Sequence, residues 1–123
     1  MKLSIIIPMY NEQESLDALF MELSGLFSQE AKTEIIFIND GSSDDTLSIL
    51  ESKIKNYPSW KVINLYRNYG KSVALQAGFD NSKGEIIATM DADLQDNPKE
   101  IYNLIKELEK GYDVVSGWKK NRK

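Results

Sequence analysis

The four consecutive apolar residues Ile35-Ile36-Phe37-Ile38 constrain the fold of this chain more than any other feature. Side chains alternate between the two faces of a β-strand, so an uninterrupted apolar run predicts a strand that is buried on both faces. Such strands are typical of parallel sheets that are covered by helices on each side. Four further β-rich segments accompany this run, and the five predicted strands cover residues 3–7, 34–39, 60–65, 85–90 and 112–116.

Helical patterns separate these strands. Leucine and phenylalanine recur at helical spacing between residues 16 and 27, and Asn11 with Glu14 fits a capping box for that helix. Pro8 has no amide hydrogen, and we expect it to end the first strand. The remaining helices are predicted to begin after residue 43, to cover residues 71–80, and to run from Pro98 to Gly111.

This alternation of strands and helices predicts an α/β fold with a single domain over residues 1–123. The expected architecture is Rossmann-like, with a mostly parallel sheet and helices on both of its faces. Ligands of such sheets bind beyond the carboxyl ends of the strands. We therefore look for functional residues in the segments that directly follow each predicted strand.

The chain contains neither cysteine nor histidine among its 123 residues. Without cysteine it has no disulfides, thiolate nucleophiles or cysteine-ligated zinc and iron–sulfur sites. Without histidine it has no Ser-His-Asp triad, imidazole base or histidine-ligated metal. Any catalysis must therefore use carboxylates, lysine, arginine, tyrosine, hydroxyls or backbone groups. Any bound metal should be a hard cation that is held by oxygen atoms.

The charges of the chain are unevenly distributed. The net charge is −4, yet four of the 15 basic residues lie in positions 119–123, which we interpret as a solvated end. The acidic remainder lacks the basic patch of a nucleic-acid-binding surface, so we expect no nucleic acid partner. No segment reaches the roughly 18–20 consecutive apolar residues of a membrane span. We expect a cytoplasmic location.

Asp91 and Asp93 directly follow the fourth predicted strand and are the sharpest candidates for a ligand site. Residues two apart in extended backbone point the same way, so both carboxylates should face one point, and Gln95 continues that face. Two carboxylates and an amide oxygen suit Mg²⁺ or Mn²⁺. The alternative is a structural role, in which these acids cap the helix at Pro98 or lie in a solvated turn.

Three further residues after the predicted strands are candidates for binding a nucleotide. Asp40 ends the second strand, where its carboxylate could accept hydrogen bonds from a nucleobase or a ribose, or cap the next helix. Tyr10 could stack on a planar base or lie exposed in a turn. Lys71 follows a glycine, but Leu65 stands where a Walker A motif needs its first glycine. Lys71 is therefore either a phosphate ligand at a helix start or an ordinary surface residue.

Four segments that follow successive strands occur in a recognisable order: Ile5-Ile6-Ile7-Pro8-Met9-Tyr10-Asn11-Glu12, Phe37-Ile38-Asn39-Asp40-Gly41-Ser42-Ser43-Asp44, Arg67-Asn68-Tyr69-Gly70-Lys71 and Asp91-Ala92-Asp93-Leu94-Gln95-Asp96. Together they resemble the family 2 glycosyltransferases of GT-A fold, and within them the dolichol- or polyprenyl-phosphate hexosyltransferases. The resemblance implies inverting, metal-dependent transfer of a hexose from a UDP- or GDP-sugar. The implied acceptor is polyprenyl or dolichyl phosphate, or otherwise a glycan.

The same resemblance implies a role for individual residues. Asp91 and Asp93 would form the catalytic Asp-x-Asp pair that holds Mg²⁺ or Mn²⁺, with Gln95 as a further metal ligand. The residues that would bind the nucleotide sugar are Pro8, Tyr10, Glu12, Asp40, Lys71, Asp91 and Ala92.

Members of this family continue well beyond the fifth strand, whereas this chain ends at Lys123. We therefore expect a truncated domain that holds the donor-binding half, with the acceptor site and any membrane association in a C-terminal part at the cytoplasmic face of the membrane. Two other hypotheses remain open from the residues alone. One is a Mg²⁺-dependent phosphohydrolase with Asp91 as nucleophile, and the other is a non-catalytic module that binds a nucleotide or a metal.

Overall fold

The computed structural model describes residues 2–27, 32–93 and 98–109. These ranges contain the strands β1 (Leu3–Met9), β2 (Thr33–Asp40), β3 (Trp60–Leu65) and β4 (Ile86–Thr89). They also contain the helices α1 (Leu16–Phe27), α2 (Thr46–Lys53), α3 (Lys71–Asp80) and α4 (Pro98–Glu109), and a 3₁₀ turn (Ile54–Asn56) that follows α2. The predicted α/β class is confirmed. The predicted fifth strand, residues 112–116, and the helix end at Gly111 lie outside the described residues.

The four strands form one parallel sheet in the order β3-β2-β1-β4. At the amino-terminal edge, Leu3 of β1 lies opposite Thr33 of β2 on one side and Ile86 of β4 on the other. Strand β2 is buried at all eight of its positions. The uninterrupted apolar run at residues 35–38 therefore has the doubly covered environment that it predicts.

The sheet separates two apolar cores of different size. Helices α1, α2 and α4 cover one face, where Phe20 of α1 stacks on Phe37 of β2 with ring centroids 4.9 Å apart. Helix α3 covers the other face, and it approaches so closely that a Cβ atom on Gly78 would lie 2.5 Å from the side chain of Ile6. Each fully buried isoleucine of these cores contributes about 1.5–3 kcal/mol of transfer free energy. No helix within the described residues is long and apolar enough to cross a membrane.

Strand β1 continues through Pro8 to its end, so the expectation that Pro8 stops this strand is wrong. The amide of Leu3 donates to the carbonyl of Lys32 on the β2 side, whereas the carbonyl of Ile6 accepts from the amide of Met90 on the β4 side. By this alternation the nitrogen of Pro8 points toward the β4 side, where the pairing of β1 ends at Ile6. The missing amide hydrogen therefore removes no hydrogen bond from the sheet.

The capping box predicted from Asn11 and Glu14 is also wrong. Helix α1 begins one residue after Ser15, whose carbonyl accepts a hydrogen bond from the amide of Leu19. Asn11 adopts a left-handed backbone conformation (φ 53°) and its Oδ1 accepts from the amide of Ser43, 2.8 Å away. A short polar side chain competes well for local backbone groups, and here it binds the neighbouring loop rather than its own helix.

Candidate functional site

The carboxyl ends of the strands bring the sequence-predicted residues together at one edge of the sheet. Strands β1, β2 and β3 end side by side, with Met9 opposite Asn39 and Asp40 opposite Leu65. Gln95, the predicted third metal ligand, lies outside the described residues. The other predicted site residues lie at or after the carboxyl ends of the four strands or, for Lys71, at the start of α3: Pro8, Tyr10, Glu12, Asp40, Lys71, Asp91, Ala92 and Asp93.

Asp40 is buried at the end of β2, with 5% of its surface exposed. Its two carboxylate oxygens accept hydrogen bonds from the amides of Tyr69 at 2.8 Å and Gly70 at 3.0 Å. It does not cap α2, whose N-cap residue is Asp45, so that alternative is wrong. Because each carboxylate oxygen accepts more than one hydrogen bond, Asp40 keeps acceptor capacity for a ligand. Its predicted contact with a nucleoside stays a prediction. The structure shows a further role for Asp40, which is to anchor the loop before α3.

Gly41 makes this anchoring possible, and sequence reasoning treated it only as part of a turn. Its backbone is left-handed (φ +68°), and a Cβ atom there would overlap the backbone of Arg67 and Asn68. The end of β2 and the loop before α3 can therefore approach each other only when residue 41 is glycine. The signal in the sequence was the position of this glycine, directly after a buried acidic residue.

Hydrogen bonds join the loop after β1 to the start of α2. The amide of Asn11 donates to Ser42 Oγ at 2.8 Å, and the amide of Glu12 donates to Thr46 Oγ1 at 3.0 Å. The Glu12 carboxylate accepts from the hydroxyl of Ser15 at 3.1 Å, so it is held at the start of α1. Tyr10 lies in this fixed loop and remains 45% exposed, which leaves its ring available to stack on a ligand.

Asp44 strengthens the same junction. Its Oδ1 accepts hydrogen bonds from the amide of Thr46 at 3.0 Å and from the Thr46 hydroxyl at 2.6 Å. Burial raises the pKa of Asp44, but these hydrogen bonds outweigh that effect and hold the pKa below its ordinary value. Asp44 is therefore a charged, structural member of the loop.

Lys71 and Asp91 form an ion pair across the site. Lys71 is the first residue of α3, and its Nζ lies 3.0 Å from Oδ1 of Asp91. Both side chains are accessible, with 64% of Lys71 and 37% of Asp91 exposed. The structure thus connects two residues that the sequence predicted separately, one for the phosphates and one for the metal.

The Asp-x-Asp segment is less regular than the spacing argument assumed. Strand β4 ends at Thr89, and residues 92 and 93 form a turn, so the extended backbone assumed there is absent. Ala92 is buried between the partly exposed Asp91 and the exposed Asp93. Over the described ranges, no group of three or more acidic side chains forms a ready metal cluster. Even so, the Asp91 carboxylate already attracts an ammonium group, and its oxygen donors suit a hard divalent cation.

Comparisons with known proteins show the family of this chain. A family model described as glycosyl transferase family 2 matches residues 4–123. The undecaprenyl-phosphate 4-deoxy-4-formamido-L-arabinose transferase of Serratia proteamaculans is 43% identical over 123 residues, covering 98% of this chain and 38% of that protein. The dodecaprenyl-phosphate galacturonate synthase of Rhizobium johnstonii is 37% identical over 126 residues, covering 100% of this chain and 37% of that protein. The chain thus spans less than two fifths of the length of these relatives.

Solved structures show the same fold. S. aureus TarS 1–349 in complex with UDP-GlcNAc matches with a TM-score of 0.72 and 25% identity, over 94% of this chain and 37% of that one. A mannosyltransferase from Pyrobaculum calidifontis, solved with GDP-Man and Mn²⁺, matches with a TM-score of 0.77 and 24% identity, over 87% of this chain and 32% of that one. The second likeness is evidence for the fold alone. These likenesses confirm the α/β fold that the strand and helix pattern predicts.

Proposed function

This chain belongs to glycosyl transferase family 2, and from that premise we propose that it forms the donor-binding part of an inverting hexosyltransferase. The proposed donor is a nucleoside-diphosphate sugar and the proposed acceptor is a polyprenyl phosphate. The observation that carries the proposal is the ion pair between Lys71 and Asp91, close beside the loop that Asp40 anchors. The proposed cation site and the proposed acceptor for the nucleoside thus lie at one edge of the sheet, which is the arrangement that a nucleoside diphosphate would require.

The nucleoside end of the donor is assigned to the first two strand ends. Tyr10 offers a partly exposed ring for stacking, and Asp40 offers its remaining lone pairs to an N–H group of the base. Pro8 lies before Tyr10 near the end of β1, and Glu12 follows it in the loop that is fixed to α2. A hydrogen bond to Asp40 suits uracil as well as guanine, so we propose UDP and GDP as the two nucleotides to test.

The diphosphate end is assigned to Lys71, Asp91 and Asp93, which would hold Mg²⁺ or Mn²⁺ through the two carboxylates. When bound, such a cation acts as a Lewis acid that stabilises the charge developing on the leaving diphosphate. Lys71 neutralises Asp91 in this structure, and its ammonium group can instead pair with a phosphate oxygen of the donor. Lys71 would therefore supply a positive charge at the diphosphate end of the donor.

The acceptor chemistry explains why this chain needs no identified base. An oxygen of a polyprenyl phosphate is already anionic near neutral pH, so it can attack the anomeric carbon without losing a proton. The new C–O bond forms as the bond to the diphosphate breaks, and the electron pair leaves with the nucleoside diphosphate. The two relatives named above differ in their sugar but share a polyprenyl phosphate, so we propose the acceptor class and not the sugar. A lipid acceptor would place the reaction at a membrane, and we propose that it takes place at the cytoplasmic face.

Calorimetry on the full-length protein tests this proposal with UDP and GDP, each with and without Mn²⁺. We expect saturable binding of one nucleotide that requires the metal and weakens by about tenfold or more in Asp93→Asn. Asp17→Asn is the matched control, because it removes a carboxylate on α1 that is 89% exposed and that pairs with Lys53 rather than with any residue assigned to the site. A folded protein that binds neither nucleotide would overturn the proposal. A phosphorylated Asp91 after incubation with a phosphate ester would favour the phosphohydrolase hypothesis instead.

A transfer assay tests the acceptor separately. The full-length protein is incubated with labelled UDP- or GDP-hexoses and undecaprenyl phosphate, and the lipid fraction is examined for label. We expect label in the lipid with at least one donor, and none when Asp91→Asn replaces the native protein. Nucleotide binding without any transfer to the lipid would keep the donor assignment and reject the acceptor.

A further inference from the structure

A second concave site lies on the α2 side of the sheet. This α2 groove has a volume of about 380 Å³ and is formed by the ends of β2 and β3 and the first two turns of α2. None of the residues assigned above to the nucleotide or the metal lines it. The groove is large enough for one group of the size of a long side chain.

Asn39 lines the α2 groove and is almost entirely buried, with 2% of its surface exposed. Its Nδ2 donates a hydrogen bond to Oδ1 of Asn64 at 2.8 Å. Its own Oδ1 is buried and receives no hydrogen bond from any residue that the structure describes. Buried acceptors are almost always paired in folded proteins, so this oxygen has capacity for a hydrogen bond from a ligand or from a water molecule.

The α2 groove lies on the opposite face of β2 from the candidate nucleoside site. Successive side chains of a strand point to opposite faces, so Asn39 shares the face of Phe37 while Asp40 shares the face of Ile38. Phe37 belongs to the core beneath α1 and α2, and Ile38 belongs to the core beneath α3. A ligand that contacts Asn39 would therefore occupy a place distinct from that of the donor nucleotide.

The charge of the α2 groove selects the kind of ligand. Asp44, Asp45 and Glu51 line it, and neither lysine nor arginine does. Within the described ranges, no side chain pairs with the carboxylate of Asp45 or of Glu51. The ligand should therefore bring a positive charge together with N–H donors. A bare metal ion fits less well, because no set of three acidic ligands is grouped among the described residues.

Apolar surface completes the α2 groove. Leu47 and Leu65 line it together with Tyr66, a tyrosine that is 95% exposed. An exposed aromatic ring beside carboxylates is a favourable neighbour for an organic cation, and the leucines can cover a short alkyl chain.

We propose that the α2 groove binds an alkylammonium or alkylguanidinium group. Its N–H groups donate to Asn39 Oδ1 and to the carboxylates of Asp45 and Glu51, and its alkyl chain packs against Leu65 and the ring of Tyr66. The group can come from a free amine or from a lysine or arginine side chain of another polypeptide. The inference is independent of the proposed transferase activity, because it uses none of the donor-binding residues.

The test is an NMR titration of the full-length protein carrying ¹⁵N-labelled asparagine. The probes are n-butylammonium, butylguanidinium and a short acetylated Gly-Lys-Gly amide, with tetramethylammonium as a cation of equal charge that has no N–H donor. We expect saturable shifts of the Asn39 and Asn64 side-chain amides with the first three probes, at a Kd of about 1–10 mM. Tighter binding of the peptide than of butylammonium would identify a polypeptide as the source, and the reverse would identify a free amine.

Variants decide whether the named groups are responsible. The double variant Asp45→Asn, Glu51→Gln should weaken butylammonium binding about fivefold or more, while Asp17→Asn on α1 should leave it unchanged. Asn39→Leu should abolish binding, and the double variant keeps the test valid if Asn39→Leu does not fold. Equal shifts with tetramethylammonium, or no saturable shift with any probe, would overturn the proposal and leave Asn39 hydrogen-bonded to water only. Nucleotide binding by the double variant, measured beside the titration, should be unchanged.

Discussion

Strand β2 carries a buried carboxylate near each of its ends, Glu34 at the amino-terminal edge of the sheet and Asp40 at the carboxyl edge. Glu34 accepts hydrogen bonds from the hydroxyl of Ser4 at 2.5 Å and the amide of Lys83 at 2.6 Å, and Lys61 Nζ lies 3.6 Å from its other oxygen. Asp40 accepts from two backbone amides, and no cation of the described residues pairs with it. The first carboxylate is fully compensated by the fold, whereas the second keeps capacity for a ligand. The carboxylate at the amino-terminal end of β2 thus stabilises the fold, whereas the carboxylate at its other end is available to a ligand.

The titration of Glu34 follows from its partners. Burial raises its pKa, but the hydrogen bonds from Ser4 and from the Lys83 amide, together with the charge of Lys61, lower the pKa to below the ordinary value of 4.5. A carboxyl whose pKa is lowered on folding stabilises the protein above its unfolded pKa, and that contribution is lost as the pH falls through the lowered value. The contribution of Glu34 to the amino-terminal edge should therefore be lost as the pH falls below 4.5 and through the lowered pKa.

The largest effect is expected from Gly41→Ala at the carboxyl edge. The added methyl group would overlap the backbone of Arg67 and Asn68, at a left-handed φ that also disfavours alanine. We expect a loss of about 3 kcal/mol or more in the free energy of unfolding, measured by urea denaturation. Gly25→Ala is the control, since a Cβ atom at Gly25 meets nothing within 4 Å, and in α1 it should stabilise by up to about 1 kcal/mol. If Gly41→Ala lost less than Gly25→Ala gained, the close approach would be unimportant.

Glu34→Gln comes next and tests the amino-terminal edge alone. The glutamine oxygen can still accept from Ser4 and from the Lys83 amide, but it loses the negative charge that strengthens both bonds and its NH₂ group faces the Lys61 ammonium, so we expect a loss of about 2 kcal/mol at pH 7. The difference from the native protein should shrink as the pH falls below 4.5 and through the lowered pKa, where the native carboxyl becomes protonated as well. Urea denaturation at a series of pH values measures the loss of stability at pH 7 and its change with pH. Nucleotide binding should be unaffected, and a matching loss of binding would contradict the separation of the two edges.

Most of the fold could be predicted because periodicity reports burial directly. The apolar run at residues 35–38 predicts a doubly covered strand, and the leucine spacing predicts α1. The predictions for Pro8 and Asn11 were wrong because the roles of these residues depend on neighbours that are distant in sequence. The pairing of β1 with β4 stops before Pro8, and Ser43 lies 32 residues beyond Asn11. A local rule cannot include such partners.

The candidate site was less predictable than the fold for a similar reason. Position after a strand was enough to single out Asp40, Lys71 and Asp91, since parallel strands all end at one edge. It could not show that Lys71 pairs with Asp91, because Lys71 begins α3 whereas Asp91 follows β4. Their contact depends on how these two separate segments are placed in the fold. Nor could it reveal the unpaired oxygen of Asn39, which depends on the geometry of one amide contact.

Asp40→Asn should have a smaller effect on stability than Glu34→Gln and a larger effect on binding. An asparagine oxygen can still accept from one amide of the loop, but its NH₂ group faces the other amide, so we expect a loss of about 1 kcal/mol. The affinity for the nucleoside diphosphate should fall by about tenfold, because a charged acceptor for the base is lost. Calorimetry and urea denaturation on the same samples measure the two effects. Unchanged affinity would make Asp40 a structural residue like Glu34.

The smallest effect is expected from Lys61→Met, which removes the cation from the Glu34 cluster but keeps both of its short hydrogen bonds. The Lys61 side chain is 40% exposed and its Nζ lies 3.6 Å from the carboxylate, so solvent screens the attraction. We expect a loss of about 0.5 kcal/mol or less at low salt, and still less in 0.5 M NaCl, by the same denaturation measurement. A loss as large as that of Glu34→Gln would show that the ion pair, rather than the bonds from Ser4 and the Lys83 amide, holds this carboxylate. A small loss would instead mean that neutral donors hold the carboxylates at both ends of β2. The geometry of those donors would then be the reason that Glu34 is fully paired while Asp40 keeps acceptor capacity for a ligand.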